Sequence, residues 1–150
     1  MLMATPALLA LNNAHASELS WLEPERLAAL FARAYHARAL GEADALLIAF
    51  DQDSDYDSPN FLWFRARFPR FAYVDRVVVA PEARGRGLGR ALYEDLFAKG
   101  RGDGHARVGC EVNVDPPNPG SDAFHAALGF VAAGRAAVRD RVVQYLTCRL

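Results

Sequence analysis

The chain has 150 residues, 52% of them hydrophobic, and a formal net charge of −1 at pH 7. That length predicts one domain spanning residues 1–150 with a real core, and the near-neutral balance argues against general nucleic-acid binding, which needs a basic excess. The two cysteines, Cys110 and Cys148, have no second Cys or His at zinc-site spacing, so no metal is expected and both read as reduced core thiols.

The N-terminal MLMATPALLALNN lacks a basic n-region and its apolar run stops at Leu11, so it reads neither as a secretory signal nor as a membrane span. A cytoplasmic protein with no membrane partner is the expectation. Within that stretch, ALLALN (7–12) is read as a short buried strand. ELSWLEPERLAALFARAY then sets Leu22, Leu27, Leu30 and Phe31 on one helical stripe, with Pro24 near the helix start. HARALGEADALLIAFD places a glycine between two apolar runs, the pattern of a hairpin.

The polar insertion DQDSDYDSPN carries Asp51, Asp53, Asp55 and Asp57 at alternate positions. A calcium-binding EF-hand loop wants glycine sixth and glutamate twelfth, and those places hold Tyr56 and Leu62. The run reads as a solvated acidic loop, or as one that draws a cationic amine toward a site. In NFLWFRARFPR, Ser58 and Pro59 suit a helix cap and first turn. Phe61, Trp63 and Phe64 either wall a pocket or pack as a helix, and Arg65 and Arg67 are candidates for holding a carboxylate.

FAYVDRVVVAP predicts a strand stopped by Pro81, its consecutive valines buried on both faces. Leu88, Leu92 and Leu96 recur every four residues in a helix that Gly100 is expected to end. HARVGCEVNV predicts another strand. NPGSDAFHAALGF predicts a helix capped by Asn118, opened by Pro119 and closed by Gly129. Two β-rich runs around Arg139-Asp140-Arg141 then form a hairpin. The order β-α-α-β-β-(α)-β-α-β-α-β-β gives a mixed sheet with helices on its faces.

The chemistry concentrates in ARGRGLGRA (83–91). A strand running into a glycine turn and then a helix aims several backbone N–H groups at one spot, and the helix N-terminus adds partial positive charge. Arg84, Arg86 and Arg90 surround that nest. A Walker loop needs Lys-Ser/Thr, which is absent. A dinucleotide loop is spaced G-x-G-x-x-G, whereas here Gly85, Gly87 and Gly89 alternate. Glu111, 22 residues past Gly89, mimics the ribose acid of that motif. However, a Rossmann loop follows the first strand of a parallel sheet, and this chain instead ends soon afterwards in a hairpin. A third candidate is a pyrophosphate at the edge of a small mixed sheet, as in coenzyme A, and the plain reading is a tight turn with solvated arginines.

Arg84-Gly85-Arg86-Gly87-Leu88-Gly89 matches [QR]-x-x-G-x-[GA] without a gap, and here the sequence resembles the GNAT superfamily of acyl-CoA-dependent N-acetyltransferases. A second block, NPGSDAFHAALGF, is similar to that family's N-x-x-[AS]-x-x-[LF]-Y-x-x-x-G-F helix through Asn118, Ser121, Phe124, Gly129 and Phe130. The resemblance covers residues 70–150 well, and the first half by element order. It implies an α/β (α+β) fold with a mixed, mainly antiparallel sheet of six to seven strands flanked by about four helices. It also implies acetyl-CoA as co-substrate, without a metal, and a small-molecule or peptide amine as acceptor.

On the same resemblance, the pyrophosphate sits on the amides of residues 85–90, Val77 and Val79 pair their backbones with the pantetheine arm, and an N–H near Val78 polarises the thioester. Asn118 caps its helix or also touches coenzyme A. An alkylammonium must lose a proton before it attacks, so a base is needed. Glu111 stands where ribosomal-protein alanine acetyltransferases carry a glutamate base, with a solvent-facing strand carboxylate as the other reading. Asp75 is the alternative base, or the partner of a neighbouring arginine. The family's tyrosine general acid is replaced by His125. That leaves three readings: an imidazole near its normal pKa as the acid, a nearby tyrosine or water, or no acid. A silent acyl-CoA-binding module and a nucleotide-dependent enzyme using the same loop stay open. Many relatives dimerise, so a homodimer is an open expectation, although nothing in the sequence marks an interface.

Overall fold

A computed structural model describes residues 1–17 and 19–150. Glu18, which opens the ELSW segment, lies outside them. The elements are α1 (Pro6–Ala14), α2 (Pro24–Arg33), β1 (His36–Leu40), β2 (Ala45–Asp51), α3 (Pro59–Arg65), β3 (Ala72–Val79), a 3-10 turn (Pro81–Ala83), α4 (Leu88–Gly102), β4 (Arg107–Asp115), α5 (Pro119–Ala127), β5 (Val131–Val138) and β6 (Arg141–Arg149). The six strands form one sheet in the order β1-β2-β3-β4-β6-β5, antiparallel except for the β3–β4 pair.

The expected strand at 7–12 is instead the middle of α1. Thr5 caps it, its Oγ1 accepting the Leu8 N–H at 3.2 Å, and Pro6 takes the first helical place. The run consists of Ala, Leu and Asn with no β-branched residue, so local preference favours the helix, and Leu8, Leu11 and Asn12 bury one face. Thr5→Ala is expected to cost about 1 kcal/mol, read as a lowered urea midpoint with unchanged slope.

Each face of the sheet carries its own core. β2 shows why: Leu46, Ile48 and Phe50 pack toward α1, α2 and α3, while Ala45, Leu47 and Ala49 pack toward α4. Alternation with both faces covered makes every side chain from Ala45 to Phe50 fully buried. The aromatics of α3 are core rather than pocket wall. Phe61 and Phe64 are fully buried, and Trp63 lies flat on Tyr145 of β6 with ring centroids 4.1 Å apart. Arg67 stacks over Trp63 and Arg65 over Phe61.

Two ends differ from expectation. Ser58 occupies the cap position of α3 without a side-chain hydrogen bond. Helix α4 runs past Gly100 to Gly102, and the left-handed residue that turns the chain is Gly104. Gly100 serves packing instead: a Cβ there would stand 2.7 Å from Leu150 Cδ1. No helix among the described residues is long and apolar enough to cross a membrane.

Candidate active site

The site begins where β3 and β4 part. Among the described residues they pair only at Ala72–Val108 and Tyr73–Gly109. Immediately beyond, β3 carries a bulge: Val74 faces Ala49, Arg76 faces Ile48, and Asp75 between them has no partner in β2. A bulge bends its strand and re-aims the residues after it. Val77, Val78 and Val79 stay paired with β2, so their other backbone edge faces a gap.

Three adjoining clefts fill that gap and its two ends. The first, about 600 Å³, is lined by Val77, Val78 and Val79, the loop residues Arg84, Gly85, Gly87, Leu88, Gly89 and Arg90, and Asn118, Ser121 and Phe124 of the α5 end. The second, about 410 Å³, lies between the splayed strands and shares Val77, Asn118 and Ser121 with the first; Tyr93, Glu111 and His125 also line it. The third, about 540 Å³, shares Asn60, Asp75, Arg76 and Glu111 with the second. Together they make one trench from the glycine loop past Glu111 to the protein surface.

The glycines of the loop have different reasons to be there. Gly85 and Gly87 have φ of +80° and +73°, the left-handed region that side chains resist. Gly87 is the N-cap of α4 and supplies no side-chain cap, so the first N–H groups of the helix are left to an external acceptor. Gly89 is a close approach instead: a Cβ would stand 3.2 Å from Phe124 Cζ, so its absence lets α4 and α5 meet. Arg84 and Arg90 line the cleft. The Arg86 side chain turns away, its Nε donating to the Ala83 carbonyl at 3.3 Å and its Nη2 3.8 Å from Asp44.

Glu111 is partly buried and lines the second and third clefts. Its Oε2 accepts the Tyr73 hydroxyl at 2.7 Å and its Oε1 accepts Asn60 Nδ2 at 3.1 Å. Tyr145 in turn donates to Asn60 Oδ1 at 2.9 Å, which fixes the amide's orientation. Burial pushes the Glu111 carboxyl from 4.5 up to about 8; Asp75 adds to the rise and the Tyr73 and Asn60 hydrogen bonds oppose it. Asp75 is otherwise engaged. It forms a buried ion pair with Arg76 Nε at 2.8 Å and accepts the Tyr56 hydroxyl at 2.6 Å, while Arg76 also donates to Asn12 Oδ1 and Ser20 Oγ.

His125 is buried, and burial pushes its imidazole below the ordinary range, correcting the expectation of a normal pKa. Its Nδ1 lies 2.7 Å from the Ser121 carbonyl, which can only accept, so Nδ1 carries the proton. Nε2, 3.0 Å from the Tyr93 hydroxyl, therefore accepts from it. Asn118 caps α5 by accepting the Ser121 N–H at 3.2 Å.

Sequence reasoning missed Tyr93, Tyr73, Asn60 and Tyr145. Nothing local marks them: Asn60 and Glu111 are 51 residues apart, and Tyr93 and His125 are 32 apart. Of the alternating aspartates, Asp51 holds its own turn and His105, and only Asp57 reaches the third cleft.

Comparisons with known proteins bear on the family and the fold. Residues 48–130 match the model of the acetyltransferase (GNAT) family. A stretch of 65 residues is 42% identical to phosphinothricin N-acetyltransferase from Alcaligenes faecalis, covering 43% of this chain and only 32% of that enzyme. Among solved structures, Chaetomium thermophilum Naa20 in complex with a bisubstrate analogue superposes with a TM-score of 0.72 at 19% identity, over 97% of this chain and 82% of that one. The ribosomal-protein-alanine N-acetyltransferase from Brucella melitensis does so with a TM-score of 0.66 at 22% identity, over 97% and 93%. At those identities the superpositions speak for the fold, while the family match spans more than half of the sequence. The chain belongs to the acetyltransferase (GNAT) family.

Proposed function

We propose that this protein transfers an acetyl group directly from acetyl-CoA to an amine. The observation that carries the reading is the trench: it joins an uncapped helix N-terminus, suited to a pyrophosphate, through the gap between β3 and β4 to a carboxyl raised toward neutral pH.

In this reading the backbone of residues 85–90 holds the pyrophosphate, with Arg84 and Arg90 beside it. The free edge of Val77–Val79 receives the pantetheine arm, and a main-chain N–H near Val78 polarises the thioester carbonyl. Glu111 takes a proton from the acceptor ammonium, and the freed nitrogen attacks the carbonyl carbon. As the C–S bond breaks, the Tyr93 hydroxyl turns its proton from His125 Nε2 to the departing thiolate and is reprotonated by the second proton that the acetylated nitrogen gives up. One of the two nitrogen protons thus ends on Glu111 and the other on the CoA thiol. A neutral imidazole with its Nδ1–H committed to Ser121 has no proton on Nε2 to give. Its part is to hold the Tyr93 hydroxyl, which does carry one. Asp75, committed to Arg76, is the weaker candidate for the base.

Titration calorimetry with acetyl-CoA, CoA, NAD and ATP, followed by thiol release with pooled amines, tests the reading. Acetyl-CoA binding with thiol released by one pool is expected. Preference for NAD or ATP, or no CoA binding, overturns it; binding with no release from any pool favours a silent module. Gly87→Ala adds a side chain where the left-handed backbone costs about 1–2 kcal/mol. It is expected to weaken acetyl-CoA affinity roughly 10-fold while leaving kcat at saturation near wild type.

A further inference from the structure

The third cleft holds charges that acetyl transfer as described does not use. Asp75 and Arg76 neutralise each other, leaving Arg26 of α2, Arg139 of the β5–β6 turn and Asp57 around the opening beside Glu111. Neither Arg26 nor Arg139 is in an ion pair among the described residues. Among the described residues, these two guanidinium groups stand against Asp57 and, once it ionises, Glu111, a balance that suits a molecule carrying both an anion and a cationic amine.

Arg139 is singled out by its backbone. Its φ of +58° makes it the one non-glycine residue with positive φ among the described residues. It is the first residue of a two-residue hairpin turn, Val138 pairing with Arg141, a place where Gly, Asn or Asp normally relieves the strain. The turn itself gains nothing from an arginine there. Arg139, exposed at the surface, nevertheless lines both the second cleft and the third, each of which also includes Glu111. Strain held at a residue that faces a site points to a role in that site.

We propose that the acceptor is a small amino acid-like molecule, bearing a carboxylate or similar oxyanion near its amine, and that Arg139, with Arg26, binds the anion while the amine faces Glu111. The inference rests on the acetyl-transfer reading above. A guanidinium matches an oxyanion with two parallel N–H donors, which orients the molecule as well as attracting it. This role therefore passes from Arg65 and Arg67, which stack on the α3 aromatics, to two arginines that sequence spacing does not connect.

The test compares thiol release from acetyl-CoA with the common α-amino acids and with their carboxamides, using wild type, Arg139→Gly and Arg139→Lys, with calorimetry of acetyl-CoA binding alongside. An amino acid amide has the more easily deprotonated amine, so a preference for the free acid is not an effect of basicity. Wild type is expected to prefer at least one acid over its amide by roughly 10-fold or more in kcat/KM. R139G is expected to raise KM for that acid roughly 10- to 100-fold and so collapse the preference. R139K keeps part of it, retaining charge without the fork. Acetyl-CoA affinity should stay unchanged, and R139G should melt no lower than wild type because glycine accepts the left-handed turn. Equal use of acid and amide, R139G with its preference intact, or acetyl-CoA binding with neither panel acetylated overturns this inference and leaves acetyl transfer standing. Failure to bind acetyl-CoA overturns both.

Discussion

Glu111→Gln is expected to lower kcat for acetyl transfer by roughly 10²- to 10⁴-fold, the range of a lost general base, with acetyl-CoA affinity unchanged. The side chain is nearly the same size. Its amide can donate to the Tyr73 hydroxyl and accept from Asn60, so the network around it survives. The pH profile separates this loss from a packing defect. In wild type, kcat/KM should rise through about pH 8 as the buried carboxyl ionises. In E111Q that limb disappears, leaving only the acceptor amine's own ionisation. A wild-type profile retained in E111Q removes Glu111 from the chemistry.

Stability should move the opposite way. Unfolded, Glu111 ionises near 4.5; folded, burial holds its proton up to about 8. Between those values the folded state keeps a proton that the unfolded state has lost, so this residue's contribution to stability falls as pH rises through that window. Glutamine has nothing to ionise. E111Q should therefore melt higher than wild type at pH 8 to 9 and close to it near pH 4, as scanning calorimetry will show. A carboxyl held ready for catalysis at a cost in stability is the usual trade at an active site.

The second large effect concerns the Tyr93–His125 pair. His125→Phe and Tyr93→Phe are each expected to lower kcat roughly 10²-fold, with acetyl-CoA binding intact. The double variant should be little worse than the poorer single one, because the two act as a unit. Tyr93→Phe leaves the buried Nε2 without a donor and so also costs about 1 kcal/mol or more in stability; His125→Phe leaves the Tyr93 hydroxyl equally unpaired. Single-turnover thiol release on the two singles and the double decides the matter. An unchanged rate in H125F would take the imidazole out of the mechanism.

Much of this protein is legible in its sequence because the information is local. The hairpin around Gly41, the Asn118 cap with Pro119 and Gly129, and the glycine loop ahead of α4 each follow from a few adjacent residues whose backbone preferences leave one solution. The family resemblance rests on two such blocks. Where local signals competed, the reading of residues 7–12 failed: a short apolar run fits a buried strand as well as a helix, and the Thr5-Pro6 cap decided for the helix. Similarly, Gly100 fits a helix end until the C-terminal Leu150 is seen packed over it.

The environment of the candidate site belongs to the other kind of information. Sequence alone put Glu111 first as the base, through the family resemblance, with Asp75 on the neighbouring strand as the alternative. The tertiary structure set them apart by committing Asp75 to Arg76 and Tyr56 and by enclosing Glu111 with Tyr73 and Asn60. It likewise turned His125 from a titrating imidazole into a neutral one holding Tyr93. The physical reason is common to these cases. Backbone conformation is set by a residue and its nearest neighbours, whereas a proton's affinity depends on how much water and charge lies within a few ångströms. In this protein those neighbours come from helices and strands tens of residues apart along the chain.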